Sequence, residues 1–364
     1  MNATGSSSRT IQALRVAAAA VITLVVSECW HLPHTNLAVW TTLMVMSGQS
    51  HTTFQKGLER VLGRGAGVLV GTLIVSFFGD LKLLALGLEV AGLLAFFYAH
   101  YCGRLTYTYM NAGLYLQAML QLGDQDPSVA WVEGGWLFLA IVVGVVVAYL
   151  VSWFTHAERD LSIVPGEGQL LPIRGEPLAR AAQVTATMLL AQYVFFALGM
   201  PPDANTYSLF LIAVIPDYPR MRERVEYFVG GILAGVAFAV PSLLLLNRVF
   251  HLPMQVALVG LGMFVSSYLA LSKGNIRFVG IEMGTIFPLM MVLPFDKVET
   301  PYQTVYNIIA LLAYTLIAVV VGWVWVAVGL VPDRLEKHAG GPSAALALAP
   351  GAARSSTRAP RARG

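Results

Sequence analysis

Charge is what this chain has least of. Asp, Glu, Lys and Arg make up 12% of its 364 residues, about half the usage of soluble domains. Too few charges are available to cover a water-facing surface, so a soluble globular fold is excluded. Cysteine is equally scarce. Cys29 and Cys102 are the only two, too few for a disulfide scaffold, and they are expected near opposite membrane faces and unpaired. The patterns G-x-x-x-x-G-K-[ST], H-E-x-x-H and G-x-S-x-G are all absent. These absences argue against ATP hydrolysis, a zinc protease site and a serine-hydrolase elbow. Aspartates fall only at predicted helix ends and in loops, which argues against an intramembrane aspartyl pair. No basic face is interleaved with aromatics, so no nucleic-acid partner is expected. Nothing in the pattern calls for a cofactor or a metal, and the chain is not read as an enzyme. The apolar run at 11–26 continues without a cleavage site, so no signal peptide is expected.

What the chain does have is apolar sequence. It is 57% hydrophobic with a mean hydropathy of +0.68, and runs long enough to cross a bilayer recur throughout. The fold class expected is an all-α polytopic membrane protein with about 12 transmembrane helices. They are predicted at 10–29, 36–48, 58–78, 82–101, 105–122, 128–154, 179–198, 205–215, 225–246, 253–272, 278–292 and 305–330. The domain map that follows has a disordered N-terminus (1–8), a first six-helix repeat (9–154), a cytoplasmic linker (155–178), a second six-helix repeat (179–331) and a disordered cytoplasmic tail (332–364).

Duplication is written into the stretch QSHTTFQKGLERVLGRGAGVLVG at 49–71. Gly63, Gly67 and Gly71 recur every four residues along one helix face, where a neighbour can approach closely. Glu59-Arg60-Val61 and the glycines Gly67 and Gly71 return 164 residues later as Glu223-Arg224-Val225, Gly231 and Gly235. Chance similarity between glycine-rich helices is the competing explanation. Placing the N-terminus in the cytoplasm and alternating across twelve helices puts 20 of the 23 Lys and Arg on the inner side, as cytoplasmic loops require. Two parallel six-helix repeats are then expected to be related by an axis along the membrane normal, with a path between them.

The predicted helices at 36–48 and 205–215 are too short to span, and they occupy equivalent places in the two halves. Such a pair points to a central transport site. Thr35/Asn36 and Asn205/Thr206 can cap their starts, and exposed N–H groups there favour an anion. Misplaced helix ends would explain the shortness equally. The predicted helix at 105–122 is unusually polar, with Thr108, Asn111 and Tyr115 on one face; it reads as a path lining or as helix–helix hydrogen bonding. Asn36, Thr41 and Gln49 complete the expected substrate path. Glu89 and Glu282 lie at membrane depth, where a charge costs roughly 2.5–3.5 kcal/mol on insertion scales. Each is either a structural pair or the carrier of a coupling proton. His31 and His34 read as loop residues at the interface. Arg15, Arg60 and Arg224 are the candidates for anion attraction. The basic cluster of Lys56, Arg60 and Arg64 with Arg220, Arg222 and Arg224 either fixes topology and binds anionic lipid or gathers organic anions at an inner vestibule.

Pro33, Trp40, Thr41, Gln49-Ser50 and the run Glu59-Arg60-Val61-Leu62-Gly63 with Gly67 and Gly71 resemble the N-terminal module of the fusaric acid resistance / aromatic acid exporter (FUSC-like) family of bacterial inner-membrane proteins. Arg64 stands where that family usually has threonine, and the second copy lacks the tryptophan, with Leu211 near that place. The resemblance implies efflux of aromatic or other organic acid anions by a proton-coupled secondary transporter. Its partners would be a small organic anion, the lipid bilayer, and a periplasmic adaptor or a homo-oligomer. A passive organic-anion channel and a non-transporting membrane scaffold are the alternatives.

Overall fold

A computed structural model describes residues 3–46, 53–102, 105–123, 127–155, 175–198, 218–248, 252–272, 276–292 and 301–329. Every regular element among them is an α-helix: α1 (Ala3–Cys29), α2 (Thr35–Met46), α3 (Thr53–Phe78), α4 (Lys82–Cys102), α5 (Thr106–Gly123), α6 (Pro127–Phe154), α7 (Gly175–Ala197), α8 (Tyr218–Arg248), α9 (Leu252–Ala270), α10 (Ile276–Met291) and α11 (Pro301–Ala327). The predicted helix at 205–215, Gln49 and the tail 332–364 lie outside the described residues, as does most of the linker 155–178.

The ends differ from expectation in one direction. α1 reaches back to Ala3, α3 to Thr53 and α8 to Tyr218, all upstream of where apolar periodicity begins. The added turns of α3 (TFQKG) and α8 (YPRMRER) carry Gln, Lys, Arg, Met and Glu, which propagate a helix without any apolar pattern; that of α1 (ATGSSSR) is small and polar, and it is helical where a disordered start was expected. α1 turns into α2 through His31, whose φ is 51°, and Pro33, which cannot continue a helix. The Gly79–Asp80 turn reverses α3 into α4, with the Gly79 N–H donating to the Val75 carbonyl at 2.9 Å.

Among the described residues, six helical stretches are long and apolar enough to cross a membrane: Ser8–Cys29, Thr53–Phe78, Lys82–Cys102, Ser128–Phe154, Glu226–Leu246 and Leu252–Ala270. Twelve were expected. α2 and α10 are short, at 12 and 16 residues, and α5 is too polar, because these helices make their contacts inside the bundle. Large apolar side chains stand exposed on the outer helices: Phe77 and Leu83 beside the α3–α4 turn, Val146 on α6, Leu233 on α8 and Leu316 on α11. Such surface suits lipid and not water. The protein is a multi-pass membrane protein. Cys29 and Cys102 are both free.

Helix contacts recur at regular spacings. Against α5, a Cβ at Gly67 would overlap the Ala112 carbonyl oxygen and lie 2.9 Å from the Tyr115 Cβ. Against α10, a Cβ at Gly231 would lie 3.0 Å from the Val279 carbonyl oxygen and overlap the Glu282 Cβ. Gly71 faces Met119, as Gly235 faces Ile286. Gly113 of α5 meets Phe97 of α4, as Gly280 of α10 meets Ala270 of α9. α4 packs on α7, and α9 on α1. In these pairings Tyr115 and Glu282 occupy matching places.

Candidate functional site

Arg60 and Arg64 are four residues apart, Gly63, Gly67 and Gly71 recur every four, and the two series are offset by three, so they share one stripe of α3. The glycines bring that stripe onto α5, and the two arginines are carried in with it. Arg60 is 1% exposed and Arg64 is 0% exposed. Taking a guanidinium out of water costs several kcal/mol, and the site offsets this with aromatic faces. The guanidinium carbon of Arg60 lies 4.2 Å from the ring centroid of Trp40 on α2. That of Arg64 lies 5.2 Å from the same ring and 4.3 Å from the Tyr115 ring. A desolvated contact of this kind contributes about 2 kcal/mol. Arg60 Nη1 donates to the Tyr107 hydroxyl. Arg64 Nε donates to Asn111 Oδ1 at 3.4 Å, and Asn111 Nδ2 donates to the Tyr107 carbonyl at 2.7 Å.

Acidic partners do not balance Arg60. Among the described residues it forms no ion pair, and its Nε and Nη2 have no hydrogen-bond acceptor. Its neighbour Glu59 instead accepts from Gln55 Nε2 at 2.9 Å. Two like charges one helical turn apart repel each other. A mobile anion entering beside them would relieve that repulsion and satisfy the open donors.

Trp40 also ties this cluster to the second half of the chain. Its indole N–H donates to Thr285 Oγ1 on α10 at 2.9 Å, and the Thr285 hydroxyl donates to the Ile281 carbonyl at 2.9 Å. One turn along α2, Leu43 fills the space where a side chain at Gly284 would go. The α2–α10 contact is therefore closely packed. Replacing Thr285 with Val sets a methyl against the buried indole N–H and is expected to cost about 1–3 kcal/mol. Thermal unfolding in detergent checks this, and the cost should largely vanish in a Trp40→Phe background.

Of the residues expected to line a path, Asn111 and Tyr115 stand in this cluster. Thr108 is on the same face of α5, where its carbonyl meets Gly63. Asn36 lies one turn from Trp40 on the same face of α2, and its Oδ1 accepts from the Leu37 N–H at 2.8 Å. Thr41 points elsewhere: its Cβ would lie 3.0 Å from a Cβ at Gly144 of α6. Arg15 Nη2 donates to the Thr155 carbonyl at 3.1 Å at the end of α6, away from the cluster. The Arg224 side chain and Gln49 are outside the described residues. His34 Nε2 lies 2.7 Å from Glu133, tying the start of α2 to α6.

Glu89 and Glu282 are not brought together. Glu282 is buried on α10 against Gly231, one turn from Thr285. Glu89 is buried on α4. Arg64, Trp40, Tyr107 and Thr285 were not chosen as site residues from sequence. The spacing of Arg60 and Arg64 within the glycine stripe was the available signal, since residues on that stripe must face a neighbouring helix.

Residues 19–147, which contain the whole arginine–aromatic cluster of α2, α3 and α5, match the family model described as fusaric acid resistance protein-like. No curated protein and no solved structure matches the chain.

Proposed function

Starting from a chain that is fusaric acid resistance protein-like through residues 19–147, we propose that it is a secondary transporter of organic, chiefly aromatic, carboxylate anions. One observation carries the reading. Arg60 is buried against the Trp40 ring with open N–H donors and no carboxylate partner among the described residues. A guanidinium offers two parallel donors to a carboxylate, and the rings of Trp40, Tyr107 and Tyr115 suit a flat apolar body. Arg64 and Asn111 complete the cradle, with Asn36 and Thr108 further along it. Arg224 would attract anions in the second half.

The recurring contacts support a duplicated six-helix unit, with α3 on α5 answered by α8 on α10. The Trp40–Thr285 bond lies where the halves meet, and this closed packing is one state of an alternating-access cycle. Export across a bacterial inner membrane, with both termini cytoplasmic, fits the side on which the arginines collect. A proton gradient is the energy source, with Glu89 or Glu282 as carrier.

The test is exchange of radiolabelled benzoate in proteoliposomes containing the full chain. Saturable exchange that other aromatic carboxylates compete away is the expected result. A current that follows voltage with no proton coupling would replace the transporter by a channel. Absence of any flux across a panel of aromatic acids would leave only a scaffold.

A further inference from the structure

A cavity of about 150 Å³ lies away from the arginines, between α3, α4, α5 and α7. Exposed Lys82 lines one end, and Glu89, 5% exposed, lines it two turns further along α4, about 10 Å deeper at the usual helical rise. Val75 of α3, Leu120 of α5 and Gln192 of α7 supply the facing walls. Lys82 and Glu89 are the titratable groups among the lining residues. Gln192 is held in place by Gln117 of α5, whose Nε2 donates to Gln192 Oε1 at 3.0 Å and to the Met188 carbonyl at 3.1 Å.

Among the described residues, an aromatic ring fills the matching place in the second half. The spacings that pair α4 with α9 and α5 with α10 set Gly262 opposite Glu89 and Phe287 opposite Leu120. There the Phe287 ring occupies the room above Gly262, with its Cδ1 2.6 Å from where a Cβ would stand. Phe238 packs edge-on to that ring with centroids 5.3 Å apart. One half thus carries a carboxylate and a cavity where the other carries a glycine and an aromatic plug. A gap left by loose packing would not bring a buried carboxylate with it.

We propose that this cavity is the entry route of the coupling proton and that Glu89 is the group that takes it. The assignment rests on the transport reading for its purpose and on the cavity for its chemistry. The space is well below the 300–1,000 Å³ of pockets that hold drug-sized ligands, so it does not seat the aromatic anion. Ca²⁺ requires six or more oxygen ligands, and one carboxylate with one amide does not supply them. A short file of water fits both the volume and the polar lining. A hydronium at the Lys82 end passes its proton along the file; the Glu89 carboxylate gains an O–H bond, and neutral water remains. α5 packs on both α3, which carries Arg64, and α4, which carries Glu89, so movement of that helix would link the two sites.

Dicyclohexylcarbodiimide, which attacks protonated carboxyls in apolar surroundings, tests this on the full chain in lipid nanodiscs, with peptide mass spectrometry as the readout. Glu89 is expected to react, at a rate falling about tenfold per pH unit once most of the group is ionised. Leu120→Phe, which copies the Phe287 plug, is expected to suppress the reaction at least tenfold; Ala85→Leu fills the same space from α4 should the first variant not fold. Unreactive wild-type Glu89, or labelling undiminished in a folded plugged variant, overturns the proposal. In proteoliposomes Glu89→Gln is expected to lose benzoate accumulation driven by a pH gradient; unchanged accumulation overturns the proposal. Labelling as expected in a protein that exchanges no aromatic carboxylate would sink the organic-anion reading and leave the proton route standing.

Discussion

Gly67→Ala is expected to abolish the folded bundle. The added methyl would overlap the Ala112 carbonyl oxygen and lie 2.9 Å from the Leu116 amide nitrogen. Both obstacles are backbone of α5, so no side chain can rotate away. Overpacking in a core typically costs about 1–3 kcal/mol, and a clash of two backbones belongs at or beyond the top of that range. Gly87→Ala on α4 is the matched control. No atom lies within 4 Å of the position its Cβ would take, and the helix gains about 1 kcal/mol in propensity. Thermal unfolding of the purified variants in detergent separates them: Gly67→Ala aggregates or melts far below the parent, while Gly87→Ala melts at or above it. A Gly67→Ala protein with the parent's melting temperature would mean that α3 and α5 are not in contact.

Arg60→Gln is expected to weaken anion exchange without harming the fold. A hydrogen bond to a charged group contributes about 1.5–3 kcal/mol, so the apparent affinity for benzoate should fall about ten- to a hundredfold. Arg60→Lys keeps the charge but loses the paired donors, and should fall between. Stability should move the other way. Removing one of two buried like charges relieves repulsion and desolvation, so the melting temperature is expected to hold or rise. That opposition is diagnostic, because a structural arginine would lose stability and activity together. Exchange measured over a range of benzoate concentrations, beside a melting curve for each variant, checks it.

Much of this was legible before any coordinates. The glycine stripe at 63, 67 and 71 marked a close helix–helix contact, and α5 is what it meets. The polar face of α5 was expected to meet protein or water and not lipid, and Asn111 and Tyr115 are buried. The early turns of α3 and α8 were missed because charged residues carry a helix without displaying a period. Arg64 was read within a basic cluster that either orients the chain and binds lipid or gathers anions at an inner vestibule, and its burial against Trp40 and Tyr115 was not foreseen. Thr41 was expected on the path with Asn36, yet it lies about 100° round α2 from Trp40, and it faces α6.

Composition alone determined that this chain lives in lipid and is built of helices, since a chain so poor in charge must satisfy its backbone internally wherever water is absent. The glycine spacing determined that helices approach closely along one stripe. Tertiary structure decided which helix meets which, and therefore that two arginines one turn apart face the same indole. It also decided that a cavity opens beside Glu89 while an aromatic ring closes the matching place. Such features depend on residues far apart in the chain, such as Trp40 and Thr285, whose meeting is set by the packing of whole helices and leaves no local trace in the order of amino acids.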